Sequence, residues 1–234
     1  MPEQRHILSA VEDSLGRLNA LVFEMASMAE QNLAHAIRGL LERNDDLCNQ
    51  TIADDDEVDA LEKKIDQAGH ALILRYSPMA RDLRRVITSM KASTALERVS
   101  DHAVSIARRA RILNAHPPVI ETALVQPIYD LAASQLKLAV DAFHFGDLAL
   151  GLRIVQNDDP LDIAHYEFID RLTDAIAKNG AQAADYVALI FITRLLERIG
   201  DQAVNIAEDA IYLLTAQDIR HGGGLPEEAG LKNG

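Results

Sequence analysis

Leu96-Glu97-Arg98-Val99-Ser100-Asp101 returns one hundred positions later as Leu196-Glu197-Arg198-Ile199-Gly200-Asp201. The stretch that follows returns too, Ala103-Val104-Ser105-Ile106-Ala107 against Ala203-Val204-Asn205-Ile206-Ala207. A motif written twice at matching places divides a chain by internal duplication. Around the first copy, Leu96, Val99, Ala103, Ile106, Ala110 and Leu113 step by three and four residues. That is the period of a helix packed against other helices.

Outward from the motif the same period continues. Leu18, Leu21, Met25, Met28, Ala36 and Leu40 mark a helix from about Leu15 to Arg43, broken by Asn44-Asp45-Asp46. A short helical piece is expected over Leu47 to Ile52. Asp54-Asp55-Asp56 then reads as a new helix start, because acids favour the N-terminal end of the dipole. Val58, Leu61, Ile65, Ala68 and Leu72 carry that helix to Ser77-Pro78, and a third runs from about Ala80 to Asn114, stopped by Pro117-Pro118. The second half repeats the plan. Helices are expected over about Val119 to Phe145, Asp147 to Val155, Asn157-Asp158-Asp159-Pro160 to Lys178, and Ala181 to Thr215. No segment alternates apolar and polar residues as a strand would. The expected fold is all-α, two tandem three-helix bundles related by duplication. The expected boundaries are 1–117, 118–221 and a loose glycine-containing tail at 222–234.

Bulk numbers narrow the function. The 234 residues are 48% hydrophobic and 25% charged, which suits a folded globular chain. The net charge is −13, distributed unevenly: residues 1–117 hold 15 basic and 18 acidic groups, a net of −3, and the remainder −10. Such acidity argues against generic nucleic-acid binding. The one cysteine, Cys48, cannot form an internal disulfide and points to a reducing compartment. No signal peptide is visible, and the longest apolar run, Val187 to Ile192, is too short to span a bilayer. A cytoplasmic protein is expected, meeting a membrane only through partners.

Each motif copy sets two carboxylates four residues apart, ~40° apart on a helical wheel and ~6 Å apart in rise. Glu97 with Asp101, and Glu197 with Asp201, therefore share a face turned away from the apolar seam. Carboxylates so placed can share a cation if other oxygens complete its shell. The plainer reading is a solvated face with Arg98 as an ion-pair partner. Along the same face Arg108 in the first copy is replaced by Glu208 in the second, with Asn205 nearby, so any metal is expected to favour the second copy. Asp54, Asp55, Asp56, Asp59, Asp158, Asp159 and Asp162 could lend oxygens, but caps and solvated surface explain them better. His102 lacks a counterpart, since Gln202 stands in its place. Arg81, Arg84 and Arg85 put cations at a helix start, against the macrodipole; an acidic partner or bound anion would explain them, and solvent screening makes the cost small without one. Met25, Met28, Met79 and Met90 read as packing, and Cys48 as inert.

Leu-Glu-Arg-Ile-Gly-Asp followed by Ala-Val-Asn-Ile-Ala-Glu, present twice in an all-helical chain, resembles the PhoU family of phosphate-regulon accessory proteins. Pro78-Met79-Ala80-Arg81-Asp82-Leu83-Arg84 and Gln217-Asp218-Ile219-Arg220-His221 add to the resemblance. It implies a negative regulator of phosphate uptake, linking the phosphate ABC transporter ATPase to the sensor histidine kinase of the regulon. It also implies metal clusters of unknown identity (iron, zinc, magnesium or manganese) on Glu97, Asp101, Glu197 and Asp201, and a homodimer. Ser100 departs from the family glycine found at Gly200.

Two other classes compete with a regulatory adaptor. A carboxylate-bridged di-metal oxidase or storage protein wants Glu-x-x-His inside a bundle, and the only such spacing is Glu3 to His6, outside any seam. A plain helical scaffold without metal is the third. No glycine loop precedes Lys-Ser or Lys-Thr, and no catalysis is expected.

Overall fold

The computed structural model describes residues 2–157, 159–178 and 180–220, with side chains from Ser9 onward. Helix α1 spans Pro2–Leu41, α2 Asp45–Tyr76 and α3 Ala80–Asn114. A 3-10 turn over Ile120–Leu124 leads into α4, Val125–Phe145, followed by α5, Leu148–Gln156, α6, Asp159–Lys178, and α7, Ala183–Thr215. No strand occurs among the described residues.

The first turn breaks where expected. Asn44 caps α2, its side-chain oxygen accepting from the backbone N–H of Asp46 at 3.0 Å and Leu47 at 3.3 Å. The expected second break, between Ile52 and Asp54, does not exist: α2 runs unbroken for 32 residues. Nothing from Ile52 to Val58 interrupts a helix, and Cys48, Thr51, Val58 and Ile65 continue one fully buried stripe. In the second half the equivalent join is broken. Asp147 caps α5 on the Leu150 N–H at 3.0 Å, and Asn157 ends it just before Pro160, which lacks an N–H and must sit in a first turn. The halves thus differ, three helices against four.

Helices α1, α2 and α3 pack together, as do α4, α5, α6 and α7. The halves meet through α3 against α7 and α1 against α4. Leu96, Val99, Ala103, Ile106 and Ala110 are buried, as are Leu196, Ile199, Ala203, Ile206 and Ala207, and one apolar cluster contains both sets. The core is therefore continuous across the duplication. Met79 is 81% exposed, against the packing role expected of it. Residues 222–234, expected as a tail, lie outside the described residues.

Candidate functional site

Helices α3 and α7 lie antiparallel, in a register read from their contacts. Lys91 Nζ meets Asp209 Oδ1 at 3.2 Å, and the Arg109 guanidinium sits 5.3 Å from the Phe191 ring centroid. Adding one hundred to Lys91 and subtracting it from Asp209 turns the first pair into the second. The two contacts are one position of the duplicated motif, used once as an ion pair and once as a cation–π contact. That exchange is the mark of a near-twofold relation between the halves.

On this frame the acidic couples face outward. Asp101 and Asp201 are exposed, Glu97 and Glu197 partly so. The first couple has company from α2. Burial, reinforced by the charges of Asp101, Glu62 and Asp59, raises the Glu97 carboxyl above its ordinary range, with Arg98 opposing. Asp55 is raised by burial and by Asp101, although the hydrogen bond from Ser100 and the charge of Arg108 pull the other way. Asp55, Asp59, Glu62, Glu97 and Asp101 thus form one face across two helices, with Arg108 beside it as the wheel implied. Glu62 was missed by sequence reasoning, although Asp55, Asp59 and Glu62 stand at i, i+4 and i+7 on one helix.

Ser100 explains its own departure from glycine. Its hydroxyl donates to Asp55 Oδ1 at 2.8 Å and accepts from Asn32 Nδ2 at 3.2 Å, in a place where Ser100 and Asn32 are almost fully buried. At Gly200 the equivalent space is taken: a Cβ there would run into the Leu161 side chain, which itself fills the core.

The second face is built differently. Val58 and Ile65 of α2 correspond in burial to Leu161 and Phe168 of α6, which puts His165 where Glu62 stands. His165 is buried, its Nδ1 lies 3.2 Å from Thr193 Oγ1, and burial with the Arg194 charge lowers its pKa. Asp162 acts on it as an opposing charge. Asp158 lies outside the described residues. Asn205 and Glu208 line a different feature, a groove between α3 and α7 shared with Lys91, Arg98, Asp209 and Arg220. The hydrogen bond to Asp218 raises the pKa of Arg220 there, with the Glu208 charge a minor addition, and Asn205 Nδ2 donates to Gln202 Oε1 at 3.5 Å. His102 turns toward α7, and burial with the Arg198 charge lowers its pKa.

The oxygen-only donors of the first face suit a hard cation. However, among the described residues no three His, Cys, Asp or Glu side chains converge closely enough to hold a metal ion. The geometry offers no preformed coordination shell.

The arginines at the start of α3 divide. Arg85 Nη1 pairs with Glu12 of α1 at 2.9 Å, and Arg84 Nε donates to the Leu213 carbonyl at 3.4 Å. Helix α7 has no basic residue in its last turn, so Arg84 supplies a cation to its C-terminal carbonyls from the other half. The apparent misplacement at one helix start is a correct placement at another helix end. Arg81 is exposed and makes no ion pair or hydrogen bond among the described residues. Cys48 is buried against α1, and burial with the Asp45 charge pushes its thiol up to about 11, which keeps it unreactive.

Fold and site together define an internally duplicated, all-helical bundle protein with an outward acidic couple in each half. The family model of the PhoU domain matches twice, over residues 22–110 and 125–210. The chain belongs to the PhoU family. It is 29% identical over 214 residues to a phosphate-specific transport system accessory protein PhoU homolog of Xylella fastidiosa, covering 92% of this chain and 90% of that protein. It is 32% identical to the one of Caulobacter vibrioides, covering 92% and 94%. Its fold superposes on PhoU from Pseudomonas aeruginosa with a TM-score of 0.85 at 28% identity, covering 88% of this chain and 99% of that one. The phosphate transport system regulatory protein PhoU from Streptococcus pneumoniae shares the fold, with a TM-score of 0.80 at 22% identity over 89% and 99% of the two chains. No described helix is long and apolar enough to cross a membrane.

Proposed function

We propose that this chain is a non-enzymatic cytoplasmic regulator of phosphate uptake and phosphate-regulon signalling, acting negatively and linking the transporter ATPase to the sensor histidine kinase. The observation that carries the reading is the double PhoU-domain match, spread over both halves of a chain whose relatives are named accessory proteins of phosphate transport. The α3–α7 face offers a contact surface. Val187, Phe191 and Ile112 are 43%, 49% and 58% exposed, and the antiparallel register gathers them at one end of the seam, with the Arg109 guanidinium against Phe191. Exposed apolar groups rimmed by charge mark interaction sites. We assign this end to the transporter ATPase.

Deletion of the gene in the source organism tests the regulatory reading, with alkaline phosphatase read at high phosphate. Constitutive expression is the expected outcome, and continued repression overturns it. Pull-down of the ATPase by Phe191→Glu, a substitution on an exposed helix face, tests the docking surface. Retention should fall at least about tenfold; capture equal to that by the unaltered protein would move the contact elsewhere. Cation uptake by the acidic faces is a separate part of the proposal. Glu197→Ala with Asp201→Ala should lower the metal content of protein purified without chelator, while leaving helix content unchanged.

A further inference from the structure

The start of α3 borders a cleft of about 390 Å³ where the two halves meet. Arg81, Arg85 and Ser89 of α3 form one wall, at i, i+4 and i+8 on one helix face. Asn19 and Leu15 come from α1, Phe143 and His144 from the end of α4, and Leu213 and Leu214 from the end of α7. Glu12 and Asp82 also border it.

Three observations point to a ligand. Ser89 is 5% exposed and its hydroxyl has no hydrogen-bond partner among the described residues, although Ser14, Thr88, Ser93 and Thr94 of neighbouring turns all donate to carbonyls three or four residues back. The hydroxyl is reached from the cleft, so its hydrogen-bonding capacity is open to whatever occupies that space. Arg81 points no charge at any described partner. Helix α3 begins at Ala80 without a side-chain cap from Met79; the Asp82 N–H is taken by the Met79 carbonyl at 3.1 Å, and only the rest of the first turn is open to an anion.

The opposing acids do not cancel this. The Glu12 carboxylate is 68% exposed, so its bidentate hold on Arg85 is a surface pair of small net worth that an incoming anion can displace. The opposite wall is apolar, formed by Leu15, Phe143 and Leu214. A cavity of this size exceeds one oxyanion and falls in the range of small-molecule sites. The pseudo-equivalent positions in the second half are Ala181, Asp185 and Leu189, so only one copy has this chemistry.

We infer that this cleft binds a small organic phosphate monoester, its phosphate held by Arg81, Arg85 and Ser89 and its organic part laid on Leu15, Phe143 and Leu214. The site lies apart from the acidic faces and the Phe191 end, so partner docking can fail without affecting it.

Calorimetric titration of the full-length protein with phenyl phosphate and, separately, with inorganic phosphate tests it. Phenyl phosphate should bind, and at least about tenfold more tightly than inorganic phosphate, because only it can use the apolar wall. Arg81→Gln should weaken phenyl phosphate by about tenfold and Ser89→Ala by about threefold. Both are conservative, and unchanged Tm and helix content would show that folding is intact. No binding of phenyl phosphate, equal binding of the two anions, or binding indifferent to both substitutions overturns the inference.

Discussion

At the scale of single residues, the acidic face is defined by the partial burial of Glu97 and, after it, by repulsion among its neighbours, both of which the fold tolerates. The raised Glu97 carboxyl means that its ionised form is less welcome in the folded state than in the unfolded one. The sign follows: ionised Glu97 costs stability, fully so above its folded pKa, and the cost vanishes as pH falls below the ordinary carboxylate value. Glu97→Gln should therefore raise Tm by about 1–2 °C at neutral pH. The gain should shrink to nothing in acid, as scanning calorimetry across pH would show. A millimolar divalent cation should close the same gap at neutral pH by stabilising the unaltered protein alone. Equal Tm values for the two proteins at neutral pH would remove the burial and repulsion of Glu97 from the account. Ser100 works in the other direction. Ser100→Ala would leave the buried Asn32 amide without its partner and Asp55 without its donor, a loss of about 1–3 kcal/mol measurable by urea denaturation. Ser100→Gly restores the family residue, yet should be no better, because the network rather than the space holds α1, α2 and α3 together here.

At the scale of helices, what the sequence shows and what it hides separate cleanly. The α3 seam was legible because Leu96, Val99, Ala103, Ile106 and Ala110 repeat at one period, and all five are buried. The carboxylate couples were legible as outward because they fall opposite that seam. The false break near Asp54 arose from treating acids as a helix start, when an acid in mid-helix costs little on a solvated face. The breaks that hold act on the backbone itself, through the caps at Asn44 and Asp147 and the proline at Pro160. Glu62, His165 and the path of Arg84 were hidden for another reason. They depend on which helix lies beside which, and wheel geometry carries no information about neighbours. Arg84 shows the consequence, since its cation serves the end of α7, 129 residues away in sequence. Arg84→Ala should lower Tm by about 2–4 °C. Arg84→Lys should recover much of that, because a lysine can still place positive charge near the α7 carbonyls. Equal losses in the two variants would assign the contact to the planar guanidinium hydrogen bond instead of to its charge.

At the scale of the whole molecule, duplication has produced two halves that share one apolar core. The apolar cluster passes from Leu15 through Leu96 to Leu189 and Ile206 without a gap, and the seam between the halves is the α3–α7 pair itself. Lys91 and Asp209 tie that seam at one end, and the pairing is asymmetric in burial: the Asp209 side chain is 12% exposed, that of Lys91 38%. Burial raises the Asp209 carboxyl even with Lys91 lowering it, so Asp209 is the member that depends on its partner. Removing the lysine leaves a buried carboxylate with only the weaker attraction of Arg220, whereas removing the charge of the aspartate leaves a half-exposed ammonium that water can reach. Lys91→Ala should thus cost about 2–3 kcal/mol and Asp209→Asn clearly less, with Lys91→Ala/Asp209→Asn recovering part of the larger loss. Because the core is continuous, each variant should unfold in one calorimetric transition at a lower temperature, with van't Hoff and calorimetric enthalpies in agreement. Two resolved transitions, one unmoved by substitution at either residue, would show that the halves fold independently and that the seam is only a contact between them.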